Sequence, residues 1–233
     1  MTEPILTVEH LSFGFRDRAL YHDLSFTLAA GSVTSLIGAN GVGKTTLTKL
    51  IMGQLTPTAG RIIKAPTLRL GYVPQFRNID PEYPLSLRSF VGLNQMQRHV
   101  PWHSKAEKQA VTAALRETGL LERQNQPLGM ASGGEKQKAY LAQALLTHPN
   151  FLILDEATAS LDVNTKTELM TLVGELNQRR GLTVLFVTHD LELAKAYTQQ
   201  YLLLTQAGYE MRPTSEMNEA NMPKELRPTE EVR

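Results

Sequence analysis

A chain of 233 residues, 42% of them hydrophobic, is long enough to bury one α/β core with an inserted subdomain and needs no disulfide to do so. Its 24 Lys+Arg against 23 Asp+Glu leave a net charge of +1, which argues against the dense positive field of a dedicated nucleic-acid binder, and zero cysteines exclude disulfides and thiolate metal centres, as fits a reducing compartment. Met1-Thr2-Glu3-Pro4 lacks the cationic start and apolar core of a secretory leader, and no run approaches the roughly eighteen apolar residues of a membrane span, so the chain is expected to be soluble and to meet a membrane only through a partner.

In chain order, Ile5 to Val8, Leu24 to Leu28 and Val33 to Ile37 are apolar runs of strand length, separated by the turn-prone Arg16-Asp17-Arg18 and Ala30-Gly31. The third run feeds a glycine-rich loop, and Thr45 to Met52 reads as the helix leaving it. Pro57-Thr58-Ala59-Gly60 is a turn, followed by short strands at Arg61 to Lys64 and Leu68 to Val73. From 86 to 131 the pattern becomes helical, with Ala110, Ala113, Ala114, Leu120 and Leu121 on an amphipathic spacing. Beyond it, a helix over 135–147, a strand at Phe151 to Leu154, a helix at Asn164 to Arg179 and a strand at Thr183 to Val187 alternate as in a parallel sheet. Tyr201 to Thr205 reads as the last strand, and the charged, proline-containing segment from Pro213 onward as a loosely held tail. No internal repeat is visible.

The glycine-rich loop is Gly38-Ala39-Asn40-Gly41-Val42-Gly43-Lys44-Thr45, followed by Thr46. A strand, a loop and a helix in this order converge backbone N–H groups and a helix N-terminus on an anion, the arrangement of a Walker A phosphate cradle. Gly41 and Gly43 permit close backbone approach, Lys44 would reach the β- and γ-phosphate oxygens, and the Thr45 hydroxyl would ligate Mg²⁺. The competing reading is a chance glycine-rich turn. A second pair of candidates, Asp155 and Glu156, ends the strand Phe151 to Leu154, at the carboxyl edge where open α/β sheets bind ligands. Asp155 would hold Mg²⁺, and Glu156 would accept a proton from the water that attacks the γ-phosphate. Read alone, the pair is a strand-end acidic cap. Ala131-Ser132-Gly133-Gly134-Glu135 lies about 20 residues upstream and opens directly into a helix, giving a second terminus suited to phosphate.

The order of Walker A loop, strand-end Gln75, Ser-Gly-Gly segment, acidic strand end and late His189 resembles the nucleotide-binding subunit of ATP-binding cassette (ABC) transporters, over about residues 5 to 207. The resemblance implies an α/β P-loop NTPase of ABC type: a mixed-sheet core with an N-terminal antiparallel β-region (1–85 and 132–210), an inserted helical subdomain (86–131) and a C-terminal tail (211–233). It implies that Phe15 stacks on adenine while Phe13 belongs to the core, that Gln75 contacts Mg²⁺ or the attacking water, that Asp162 of Ala159-Ser160-Leu161-Asp162 communicates across a dimer, and that His189 contacts the γ-phosphate. Ser132, Gly133, Gly134 and Glu135 are implied to complete the ATP site of a second copy, so that a homodimer encloses two ATP molecules and drives a pair of permease subunits. The usual family segment is Leu-Ser-Gly-Gly-Gln; here Ala131 and Glu135 stand at its ends, and Glu135 adds negative charge where a γ-phosphate is expected. Ala157 replaces the usual proline after the acidic pair.

The stretch from Phe76 to Leu87 is similar to that of ATPases of zinc and manganese importers, which implies import of a divalent metal, zinc ahead of manganese or iron, from the cytoplasmic face of a bacterial inner membrane, with a substrate-binding protein as an indirect partner. The transported ion should not touch this subunit. His99 and His103 have the spacing of helical zinc ligands, but Pro101 between them favours a surface loop, and His10, His22 and His148 are scattered. The alternatives are a non-transport cassette ATPase, such as an Fe–S assembly ATPase with a soluble scaffold, and a P-loop GTPase; the second is disfavoured because no Asn-Lys-x-Asp sequence reads guanine.

Overall fold

The apolar runs Phe151 to Leu154 and Val184 to Val187 form strands buried along their whole length. The computed structural model describes residues 3–16, 18–75, 80, 82–95, 104–218, 222–223 and 226. Phe76 to Ile79, Pro81, His99 and His103 lie outside the described residues. The chain divides into two units, residues 1–68 with 183–233, and residues 69–182.

In the first unit, β1 (Pro4–Phe15) pairs antiparallel with β2 (Arg18–Ala29) on one side and with β4 (Ala59–Lys64) on the other. Period-2 patterning sends Leu6, Val8, Leu11 and Phe13 of β1 and Leu24, Phe26 and Leu28 of β2 into the core. A register shift between Val8 and Leu11 accommodates His10 at φ 50°, a bulge that lets two twisted strands stay paired over twelve residues each. The second sheet sets β3 (Val33–Gly38) parallel to β7 (Thr183–Val187) and β8 (Gln200–Thr205). Every residue of β3 and β7 is buried, as a parallel sheet clothed on both faces requires. Two helices of this unit are α1 (Lys44–Met52) and α6 (Leu191–Tyr197).

Two expectations are corrected here. Thr205 does not end the last strand: β9 (Gly208–Pro213) turns back and pairs antiparallel with β8 over its whole length. Nor is the segment after Pro213 loosely held throughout, because Met217, Met222 and Leu226 are 5%, 2% and 9% exposed and pack on Ile37, Ala194, Tyr201 and Leu203. Isolated apolar residues among charges read as tail by composition. The face that receives them is made by β3, β8 and α6, and does not exist in the local sequence.

In the second unit, β5 (Leu70–Val73) lies parallel to β6 (Phe151–Asp155), in register from Leu70 opposite Phe151 to Val73 opposite Leu154. Helices α2 (Leu87–Gly92), α3 (Lys105–Glu117) and α4 (Gly133–Leu145) close on a cluster that includes Leu87, Val91, Val111, Leu115, Leu128 and Ala139. Burying each of the larger aliphatic side chains is worth about 1.5–3 kcal/mol, which is why so short a helix as α2 persists. Phe90 and Tyr140 meet edge to face with ring centroids 5.0 Å apart. Arg88 ties the group together, donating to Gln124 Oε1 at 2.7 Å and to the Lys108 carbonyl and Thr112 Oγ1 at 3.0 Å each. The unit continues into the long α5 (Val163–Arg180).

Candidate active site

The first unit carries the glycine-rich loop at the carboxyl end of β3. Gly43, at φ 114°, is the N-cap of α1 and, having no side chain, offers no capping group. The first-turn N–H groups of α1 therefore face outward to whatever anion enters. The Lys44 ammonium, on a residue only 5% exposed, donates to the carbonyls of Gly38 at 2.7 Å and Ala39 at 3.2 Å, so backbone dipoles hold the charge within the loop. Thr45 is exposed and Thr46 half-buried.

Two side chains of β2 brace this loop, and the sequence reading missed both. The buried Tyr21 hydroxyl donates to the Gly43 carbonyl, which also accepts the Leu47 N–H of α1. Burial pushes the Tyr21 phenol well above its usual pKa, so the hydroxyl stays protonated and remains a donor. A Cβ at residue 43 would collide with that hydroxyl. Arg18 Nη2 donates to the Gly41 carbonyl at 3.3 Å. The signal for Tyr21 was a hydroxyl on the buried face of a strand, where burial demands a partner. Tyr21→Phe is expected to weaken ATP binding about fivefold, the worth of one hydrogen bond of roughly 1 kcal/mol, with maximal turnover nearly unchanged. Titration with a fluorescent nucleotide checks it; unaltered affinity would show that the loop holds its shape without this brace.

Parallel register sets His189 at the same edge as the loop. Leu36 lies opposite Val187, so Gly38 and His189 each follow a paired strand position by two residues. His189 is exposed, and the next residue, Asp190, caps α6 by accepting from the Leu193 N–H at 3.1 Å. At the end of β1, Phe15 is 53% exposed while Phe13 is 8%, and their rings meet edge to face at 5.0 Å. One ring fills core and the other presents a face.

The second unit gathers the acidic pair and the strand-end glutamine. Asp155, 3% exposed, ends β6 and accepts from the Tyr72 hydroxyl through Oδ2 at 3.0 Å. Glu156 follows at φ 49°, a left-handed conformation that costs a non-glycine residue roughly 1–2 kcal/mol. It re-aims the chain so that Glu156 Oε2 accepts from Gln75 Nε2 at 2.8 Å. Strain of this kind is characteristic of functional sites. Tyr72, three residues before Gln75 on the neighbouring strand, was not singled out in the sequence, and only strand pairing brings it to Asp155.

The Ser-Gly-Gly segment begins α4 with a capping box. Ser132 Oγ accepts from the Glu135 N–H at 3.2 Å, and Glu135 Oε2 accepts from the Ser132 N–H at 2.8 Å. This reciprocal pair uses the N–H groups of residues 132 and 135 and leaves those of Gly133 and Gly134, which have no intrahelical partner, for a ligand. Both glycines also have a packing reason: a Cβ at residue 134 would strike the Thr165 methyl, and one at residue 133 would lie 3.1 Å from Leu161 Cδ2. The charge expected at Glu135 is not bare, because Arg123 Nη1 lies 2.7 Å from Glu135 Oε1. Asp162 caps α5, accepting from the Thr165 N–H at 3.0 Å and its hydroxyl at 2.6 Å. These bonds hold its carboxyl below the usual aspartate range, so the cap is intact above the ordinary pKa and is lost as pH falls through the lowered one. Among the described residues, no group of three or more His, Asp and Glu is placed to hold a metal ion.

Comparison with known proteins bears on all these features together. The ABC transporter family model matches residues 21–159. The zinc import ATP-binding protein ZnuC of Yersinia enterocolitica is 38% identical over 202 residues, 87% of this chain and 77% of the relative. A metal-chelate type ABC transporter solved in an inward-facing conformation superposes with a TM-score of 0.84 at 26% identity, covering 91% of this chain and 84% of that one. The cbiO1 protein of Clostridium perfringens, part of the ABC transporter complex cbiONQ, gives 0.80 at 28% identity over 92% and 90%. The family match spans the loop, the Ser-Gly-Gly segment and the acidic strand end, and the chain belongs to the ABC transporter family, as one of its ATP-hydrolysing subunits.

Proposed function

We propose that this subunit powers the import of a divalent metal ion, zinc first, through a separate membrane permease. The reading of zinc rests on the 38% identity to a zinc import ATP-binding protein over 87% of the chain. The observation that carries the catalytic assignment is the Gln75–Glu156 hydrogen bond beside the buried Asp155, a carboxylate held in a strained turn with an amide to orient it.

In this reading Gly38, Ala39, Asn40, Gly41, Val42, Gly43, Lys44, Thr45 and Thr46 bind the triphosphate, and Phe15 stacks on the adenine. Thr45, Gln75 and Asp155 offer only oxygen ligands, the donor set of a hard cation, and Mg²⁺ held there would neutralise phosphate charge. Glu156 takes a proton from the attacking water, Gln75 orients Glu156, and His189 stabilises the γ-phosphate oxygens. Ser132, Gly133, Gly134 and Glu135 complete the ATP site of a second copy, and Asp162 couples the two. The rate comes from positioning and electrostatics. The 86–131 segment is the helical subdomain and, with the core, receives the permease; a substrate-binding protein delivers the ion outside the cell, and the ATPase sits on the cytoplasmic side of the inner membrane. No described helix is long and apolar enough to cross a membrane, and in this reading the permease supplies the pathway for the ion.

The test is to isolate tagged E156Q protein from gently solubilised cells with and without ATP, and to identify its partners by mass spectrometry. A polytopic permease retained with ATP, which on reconstitution carries zinc in preference to manganese, is the expected result. Recovery with soluble partners alone, in preparations that keep other membrane complexes, would move the assignment to a non-transport cassette ATPase of the Fe–S assembly kind.

A further inference from the structure

The Glu135 carboxylate is fully engaged: one oxygen caps the Ser132 N–H and the other meets Arg123. A glutamine at this position would cap equally well through its amide oxygen and would need no counter-ion, since the capping box accepts either residue. The cap therefore does not require the charge, which sits one and two residues from the Gly134 and Gly133 N–H groups that are left for an anion. An uncompensated carboxylate there would oppose a phosphate at close range. The backbone that carries the guanidinium removing this opposition is fixed by its own turn, with the Arg123 N–H bonded to the Leu120 carbonyl at 3.1 Å and the Arg123 carbonyl accepting from the Gln126 N–H at 2.9 Å. Of the two lysines of α4, Lys136 adjoins Glu135 in sequence but is buried, and residues one apart on a helix do not face each other, while Lys138 is paired with Glu168 at 3.1 Å.

We infer that Arg123 is a positioning residue for ATP hydrolysis: by neutralising Glu135 it lets the α4 N-terminus present the Gly133 and Gly134 N–H groups to the phosphate of ATP without a competing negative charge. The inference rests on the reading that the Ser-Gly-Gly segment completes a partner's ATP site. Because the Arg123 side chain is 63% exposed, the ion pair contributes little to folding stability. Its effect is on the field at the phosphate.

The experiment is a double-mutant cycle of R123A and E135Q, read as the ATP concentration giving half-maximal hydrolysis, at low salt and at high salt. R123A is expected to raise that concentration about fivefold at low salt and under about twofold at 0.5 M KCl, where charges more than a few ångströms apart are screened. In the E135Q background the same R123A change should shift it by less than about twofold. Equal losses in both backgrounds would mean that Arg123 acts through packing, and no loss at low salt would mean that the field of Glu135 never reaches the phosphate; either overturns the inference. S132A is run alongside. If S132A hydrolyses ATP normally, the segment does not contact nucleotide and the underlying reading fails together with the inference; if S132A is impaired and R123A is not, only the inference fails.

Discussion

Glu156→Gln is expected to lower steady-state ATP hydrolysis by about 10²–10⁴-fold, the range over which a general base contributes, while leaving nucleotide affinity within about twofold. The substitution keeps the shape of the side chain and an oxygen that can still accept from Gln75 Nε2, so the 2.8 Å contact and the φ 49° turn that supports it can survive. What disappears is the capacity to take a proton. It also removes one of two adjacent negative charges, Asp155 being the other, so binding of an anionic nucleotide should not weaken. In the presence of ATP the variant should therefore accumulate as a dimer that does not turn over, visible by size-exclusion chromatography and absent with ADP. Phosphate release within about threefold of the parent rate would remove Glu156 as the base and point to a water positioned by other groups.

Lys44→Ala should act on binding itself. A charge-assisted hydrogen bond to phosphate is worth about 1.5–3 kcal/mol, so ATP affinity is expected to fall by about 10- to 100-fold and hydrolysis at ordinary ATP concentration to be lost. The structure adds a reason to watch the fold as well. Lys44 Nζ donates to the Gly38 and Ala39 carbonyls, so its loss leaves two acceptors of the loop with one donor fewer. Alanine is the better helix former at the first position of α1, which works against unfolding of the helix. The expected pattern is weak nucleotide binding by calorimetry with a melting temperature close to the parent. Unchanged affinity would contradict the placing of Lys44 on the phosphates; a collapse in melting temperature would assign it to the loop's own integrity.

The positions of Lys44 and Glu156 are legible in the sequence, because each is fixed by short-range spacing. Lys44 follows a strand and a run of glycines, and Glu156 follows a buried strand by two residues, so a parallel sheet delivers both to a carboxyl edge whatever else the chain does. Phe13 and Phe15 were separable only through the family resemblance, because residues two apart on a strand share a face; Phe15 is exposed as the last residue of β1 while Phe13 lies within it. Tyr21, Tyr72 and Arg123 were not legible. Tyr21 and Gly43 are 22 residues apart, and Tyr72 and Asp155 are 83 apart. No local pattern marks such a pair, since each hydroxyl finds its acceptor only through strand pairing and packing.

The C-terminal segment and Glu135 show the same boundary from opposite sides. Composition made the residues after Pro213 a tail, yet Met217, Met222 and Leu226 are buried because β3, β8 and α6 assemble a face for them. Composition made Glu135 a charge facing phosphate, yet a turn twelve residues upstream supplies Arg123. By itself the sequence determined most of the strand and helix order, α6 and β9 excepted, together with the glycine-rich loop, the acidic strand end and the family, all carried by contiguous residues whose backbone geometry is set locally. Tertiary structure alone decided which buried hydroxyls brace the loop and the acidic pair, where the last apolar side chains dock and how the charge at Glu135 is balanced, because hydrogen bonds, burial and ion pairing depend on which distant groups folding brings within a few ångströms.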